Sequence, residues 1–143
     1  SHEIDQAFEA VVVPTSSGST HMGLAMGLAG MPTKVIGVAC DPEPDMIDDL
    51  VDLSAQAAAQ GYGSALAHQD IDFRLDWVGT GYGVASEQGE QARSWLAEKE
   101  GIVLDPIYSG KAFAGLLSMA RQGELKGKVL FWHTGGFPMA CVG

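Results

Sequence analysis

Val11-Val12-Val13-Pro14, then Thr15-Ser16-Ser17-Gly18-Ser19-Thr20, then His21-Met22-Gly23-Leu24-Ala25-Met26-Gly27-Leu28, is the stretch on which the fold turns. The β-branched run Val11–Val13 has no polar residue alternating through it, so it predicts a strand buried on both faces. A polar loop follows, and His21–Leu28 reads as a helix. Gly23 and Gly27 lie four apart on one face of that helix, a spacing that permits close approach of a neighbour. The pattern then repeats. Lys34–Ala39 (KVIGVA) is a second apolar strand, and Pro42–Ala59 is a helix in which Met46, Ile47, Leu50, Leu53 and Ala57 recur at helical spacing. Its early Asp residues sit where the helix dipole favours negative charge. Apolar strands alternating with amphipathic helices predict an α/β fold: a doubly wound, mainly parallel sheet with helices on both faces, in three αβα layers.

The rest of the chain extends this frame. Phe73–Val78 predicts a short strand, and Gly79-Thr80-Gly81-Tyr82-Gly83 a glycine-rich loop. Ser86 is placed to cap a helix carrying Ala92, Trp95 and Leu96 as far as Gly101. Ile102–Pro106 leads into Tyr108-Ser109-Gly110. A helix then runs from Lys111 to Arg121, with Phe113, Leu116, Leu117 and Ala120 along one stripe. Lys128–Trp132 is a last buried strand, ending in His133-Thr134-Gly135-Gly136. There is no internal repeat and no low-complexity linker, so residues 1–143 read as a single α/β domain. In such sheets ligands lie beyond the carboxyl ends of the strands. The loops after Val13, before Lys111 and after Trp132 share that edge.

With 143 residues, 46% hydrophobic and 18% charged, the chain suits one globular unit with a core of its own. A net charge of −10 argues against a nucleic-acid partner, because phosphate binding needs clustered Lys and Arg. The acidic clusters Asp41–Asp52 and Glu87–Glu100 read as solvated helix faces. No apolar run approaches the roughly 20 residues of a membrane span, and no signal peptide is visible. Two cysteines, Cys40 and Cys141, form no CxxC pair and no metal-ligand spacing with a His, which fits a reducing, cytoplasmic compartment. Ser1-His2 reads as a vector scar, consistent with a domain cut from something larger.

The chemistry concentrates in few places. At Ser16-Ser17-Gly18-Ser19-Thr20 the first N–H groups of a helix lack internal partners and carry the positive end of its dipole. Glycine and hydroxyls let an anion approach, which makes the loop a phosphate cradle by mechanism. It has neither the ending of a P-loop nor GxGxxG, and Ser19 or Thr20 serving merely as a helix cap is the competing reading. Thr134, at a strand end, has a hydroxyl able to donate to or accept from a ring nitrogen; a plain glycine turn is the alternative. Tyr82 and Tyr108 sit beside glycines near helix starts, where packing with a satisfied hydroxyl competes with a chemical role. His21 reads as helix surface or lining rather than a ligand, His133 as packing under the sheet edge, and His68 has no evident partner. Lys111 opens a helix, and its position alone does not separate catalysis from an ion pair.

Taken together, SSGSTHMGL, GTGYG, EGIVLDPIYSGKAFAGL and LFWHTGGFP, in this order and spacing, resemble the D-cysteine desulfhydrase and aminocyclopropane-carboxylate deaminase family. The resemblance runs from about residue 10 to the end. It implies the tryptophan synthase β-type fold, pyridoxal 5'-phosphate as cofactor and a small amino-acid substrate; a homo-oligomer is expected from the sheet edge that missing N-terminal strands leave unpaired. It also implies roles: Ser16, Ser17, Gly18, Ser19 and Thr20 hold the cofactor phosphate, Thr134 faces the pyridine nitrogen, and Tyr82 and Tyr108 lie beside the cofactor ring and the substrate as catalytic residues. Ser109, in the substrate-binding position, and Thr134 replace the Glu and Leu of the deaminases, as in the desulfhydrase branch. The family's Schiff-base lysine belongs to an N-terminal segment, and Lys34, Lys99, Lys111, Lys126 and Lys128 do not match it. The chain therefore reads as the C-terminal part of a lyase converting D-cysteine to pyruvate, ammonia and sulfide, inactive by itself. A fragment of a deaminase-like enzyme, a non-catalytic α/β module for phosphorylated ligands, and an interaction protein using an open sheet edge are the competing readings.

Overall fold

The computed structural model describes residues 8–135; Ser1, His2, Gly136 and Cys141 lie outside them. Strand β1 (Ala10–Thr15) is followed by α1 (Ser19–Gly27), β2 (Lys34–Ala39), α2 (Met46–Ala59), a 3-10 turn at His68–Asp70, β3 (Asp72–Arg74), α3 (Glu87–Glu100), α4 (Ser109–Arg121) and β4 (Val129–Phe131). The four strands form one parallel sheet in the order β3-β2-β1-β4. Val11, Val12 and Val13 are each fully buried, as a run without polar alternation requires.

Alternation along the strands divides the molecule into layers. Val12, Ile36 and Val38 pack with Ala112 and Met119 of α4 and with Trp77. The opposite face receives His21 of α1, whose ring lies over Gly37 and hydrogen-bonds Thr15 at 3.1 Å. Helices α1 and α2 meet there through Met22, Met26, Met46 and Leu50. Helices α3 and α4 share a second cluster of Ala92, Leu96, Leu104, Phe113 and Ala114. The three-layer expectation therefore holds.

Several local expectations are corrected. Strand β3 occupies Asp72–Arg74 rather than Phe73–Val78. The Arg74 guanidinium is held by Asp72 and Glu124, and Trp77 and Val78 turn into the core instead of continuing the ladder. Helix α2 begins at Met46, beyond the prolines at 42 and 44. A Cβ added at Gly23 or Gly27 would meet nothing within 4 Å outside the helix's own turns among the described residues, because α1 turns His21 toward the sheet instead. His68 does find a partner, Asp48, at 2.6 Å. Ser86 caps α3 as read, accepting from the Gly89 N–H at 3.0 Å.

Gly37 is required by this packing. A Cβ there would overlap the His21 ring and Thr15 Oγ1. Gly37→Ala is expected to destabilise the fold by about 1–3 kcal/mol, with His21→Ala recovering part of that loss in the double variant. Thermal denaturation of the single and double variants checks this; strictly additive losses would refute the contact.

Candidate functional site

The strand order reverses beside β1. The chain steps outward from β1 to β2 and β3 along one direction, then returns to place β4 on the other flank of β1. Such a reversal opens a crevice beyond the carboxyl ends of the two strands. The loop after β1 and the loop after β4 both end there. A cavity of about 180 Å3 occupies the crevice, and Ser16, Ser17, Gly18, Thr20, Tyr108 and Thr134 line it. Residues separated by more than a hundred positions are thus gathered by topology.

Gly18 is the N-cap of α1 at φ 89°, and no side chain caps the helix. The capping role considered for Ser19 or Thr20 is therefore not the one they play. The first helical bond runs from the Met22 N–H to the Gly18 carbonyl at 2.8 Å, so the amides of Ser19 and Thr20 precede the ladder. The first turn holds no acidic residue, which leaves the positive end of the dipole uncompensated. Gly18 is also pressed from behind, since a Cβ would lie 2.6 Å from Leu50 Cδ2. Ser17, Ser19 and Thr20 are exposed and Ser16 is half-buried. The loop presents amides and hydroxyls to an anion and no opposing charge.

The far wall is built by a carboxylate that sequence reasoning passed over. Asp105 is 1% exposed. Its Oδ1 accepts the N–H groups of Ile107 (2.9 Å) and Tyr108 (2.6 Å), and its Oδ2 accepts the N–H and hydroxyl of Ser109 (3.0 and 2.5 Å). Burial alone would raise this carboxyl, but the Ser109 hydroxyl and the three amides outweigh it and hold it below the ordinary range. An Asp three or four residues ahead of a helix start was a readable signal. The Ser109 hydroxyl also accepts from the Asp105 N–H at 2.9 Å. Ser109 is fully buried and is not on the cavity wall, so its side chain serves the turn instead of facing the crevice.

Tyr108, fixed by that turn, reaches the cavity, and its hydroxyl meets that of Tyr82 at 2.7 Å. The hydrogen bond with Tyr82, followed by burial, pushes the Tyr108 phenol up to about 12. Tyr82 itself is exposed. Thr134 is exposed on the cavity wall. His133 does not pack beneath the sheet: it is exposed and accepts the Gly135 N–H at 3.1 Å. Cys40 and His21 also touch the cavity. Burial, aided by Asp41, pushes the Cys40 thiol up to about 12, so it is not a nucleophile at neutral pH. His21, 1% exposed rather than on the helix surface, carries an Nε2 with no hydrogen-bond partner among the described residues. No group of His, Cys, Asp and Glu among the described residues is arranged to hold a metal, and no helix of the described residues is long and apolar enough to cross a membrane.

The family model described as "Pyridoxal-phosphate dependent enzyme" matches residues 1–135. A D-cysteine desulfhydrase of Yersinia enterocolitica is 39% identical over 135 residues, covering 92% of this chain and 41% of the relative. A D-cysteine desulfhydrase of Klebsiella pneumoniae is 42% identical over 134 residues, covering 90% and 40%. The crystal structure of an ACC deaminase homologue superimposes with a TM-score of 0.76 at 33% identity, over 90% of this chain and 40% of that one. The chain spans about 40% of the length of the relatives it matches.

Burial pulls the His21 imidazole down to about 4, against a smaller opposing pull from Asp72. The unfolded chain binds this proton near pH 6.5 and the folded chain does not. The stabilisation is therefore complete above pH 6.5 and is lost as pH falls toward 4, by about 3 kcal/mol in all. Denaturant unfolding across this window, compared with His21→Gln, should show the wild type losing that much more stability on acidification. Parallel pH profiles for the two proteins would contradict the assignment.

Proposed function

The chain belongs to the pyridoxal-phosphate dependent enzymes, and from that premise we propose that it forms the phosphate-holding and ring-facing walls of a lyase that converts D-cysteine to pyruvate, ammonia and sulfide. One observation carries this reading: Ser16, Ser17, Gly18 and Thr20 of the uncapped helix start, Thr134 and Tyr108 converge on a single cavity at the strand-order reversal. The donor set fits the cofactor's phosphate, because an uncapped helix start with no nearby acid suits a dianion. Relatives bearing the name D-cysteine desulfhydrase support the substrate class.

The amides of Ser19 and Thr20, with the hydroxyls of Ser17, Ser19 and Thr20, bind the phosphate, and Ser16 closes the loop's inner side. When bound, the cofactor supplies an electron sink for charge developing at the substrate's α-carbon. Thr134 offers a neutral hydroxyl to the ring nitrogen. It leaves that nitrogen less firmly protonated than a carboxylate would, which suits departure of a thiolate better than opening of a cyclopropane. Tyr108 stays protonated at neutral pH. Within the tyrosine pair one phenol donates to the other, and the acceptor's own proton remains free to be directed at the substrate. None of the residues lining the cavity is a lysine, so the amine this chemistry requires is not supplied by that wall, and turnover by the 143-residue chain alone is not expected. Cys40, buried and unpaired, suits a cytoplasmic setting. The outer edges of β3 and β4 are unpaired among the described residues, which favours assembly with a further copy.

The test is Thr134→Leu in the full-length protein. The ratio of kcat/KM for D-cysteine to that for aminocyclopropane-carboxylate is expected to fall by about tenfold or more, or about 1.4 kcal/mol of transition-state discrimination. An unchanged or increased ratio would remove Thr134 from the specificity argument. Ser109→Glu is a poorer probe, because it sets a second carboxylate against Asp105.

A further inference from the structure

Lys111 is the largest completely buried side chain of the described residues, yet it forms no ion pair with any of them. Its Nζ donates to the Cys40 carbonyl at 3.1 Å and to the Gly81 carbonyl at 3.0 Å. Burial pushes the amine below the ordinary lysine range, against the opposing influence of Cys40 and Asp41. A lysine tolerates such a position when its N–H groups are bonded. The energetic cost of placing it there calls for a role that an apolar side chain of similar length would not fill.

The two carbonyls identify that role. Cys40 is buried just past the end of β2, whereas Gly81 lies at the centre of the loop Gly79–Gly83. Gly79, Gly81 and Gly83 have φ of 79°, 154° and 75°, and glycines impose little conformation of their own. Thr80, Tyr82 and Gly83 are exposed. Within the loop, the Gly81 carbonyl also accepts the Val84 N–H, at a longer 3.4 Å. Tyr82 is next to the tethered carbonyl, and its hydroxyl is the one that meets Tyr108 at 2.7 Å. Tyr108 is fixed by Asp105 three residues before Lys111 in sequence. Both tyrosines are thus referenced to the start of α4, one through Asp105 and the other through Lys111.

We propose that Lys111 is a positioning residue that ties the glycine-rich loop to the end of β2 and so places the Tyr82 hydroxyl on that of Tyr108. The assignment rests on the reading of this pair as substrate-facing only for its kinetic meaning; the tether itself does not depend on which reaction is catalysed.

Lys111→Met preserves bulk and removes every donor. Lys111→Gln is the second variant, keeping a donor on a side chain too short to reach both carbonyls. Thermal melting first establishes which variants fold. In a folded variant, hydrogen exchange at Tyr82–Val84 is expected to accelerate by about tenfold or more, while exchange at Gly18–Met22 stays unchanged. An alkaline titration followed by tyrosinate absorbance should then show the last phenol to ionise, Tyr108, moving down from about 12 toward the ordinary value. The chain has three tyrosines, and Tyr62, exposed and remote from the pair in sequence, is the internal reference. Tyr82→Phe should reproduce the titration change without the accelerated exchange. A folded variant with unchanged exchange and unchanged titration would overturn the proposal, and so would failure of both variants to fold, which would make Lys111 a general stability residue. Loss of D-cysteine specificity has no bearing on either readout, so the tether and the proposed reaction fail separately.

Discussion

Strand β1 is the member on which the rest is hung. It is paired in parallel on both sides, by β2 along all six of its residues and by β4 along three, and it is covered on both faces by helices. Every residue of it is buried. A strand so enclosed has no exposed polar edge, and its sequence must be apolar throughout until the chain leaves the sheet. The polar run that leaves the sheet at Ser16 therefore marks more than a loop. It marks the point where the interior ends, and the strand-order reversal makes that point a crevice. The uncapped helix start after β1 and the Thr134 wall follow from the position of one strand.

Six of the nine buried polar or charged residues among the described ones are distributed accordingly. Thr15, His21, Asp41, Asp105, Ser109 and Lys111 are all buried, and they cluster around the β1 and β2 carboxyl ends and the start of α4. Each would cost stability if left unsatisfied. Most are answered locally: Thr15 by His21, Ser109 by Asp105, and Lys111 by two carbonyls. Two atoms, His21 Nε2 and Asp41 Oδ1, have no partner among the described residues. The opposite end of the sheet is simpler, with Lys34 exposed at the start of β2 and the Glu9 carboxylate accepting the N–H groups of Lys126 and Gly127 at 3.0 and 2.6 Å. A fold that concentrates fixed, polar, buried groups at one edge invests its rigidity where geometry matters.

Much of this was legible in the sequence for a physical reason. Lys34–Ala39 matches β2 from end to end, because a buried parallel strand is declared by its own composition. The polar loop after β1, Thr134 and Tyr108 were each visible as residue types at strand ends or helix starts, and topology alone then brought them to one cavity. What could not be read were interactions with no local pattern. The Lys111 partners are backbone carbonyls, which no side-chain sequence encodes. The His68–Asp48 pair spans twenty positions. Gly23 and Gly27 gave a correct spacing and a wrong inference, since four-residue periodicity shows that two glycines share a face but not what that face meets. Strand β3 was misplaced because Trp77 and Val78 are apolar for the sake of the helical layer, not the sheet.

Ser109 shows most clearly how a local difference becomes a functional one. Read along the chain, it stands beside Tyr108 as though to touch the substrate. In the fold its hydroxyl is spent on Asp105 Oδ2, while Asp105 Oδ1 holds the Tyr108 amide. Any influence it has on the crevice therefore passes through Asp105 and the backbone of Tyr108. The deaminase residue at this position, a carboxylate, cannot donate to Asp105 as the hydroxyl does and would repel it at close range in a buried site. Ser109→Glu in this chain would therefore cost the turn its Ser109 hydroxyl bonds. Thr134, by contrast, stands on the cavity wall with an exposed side chain and takes no part in that turn.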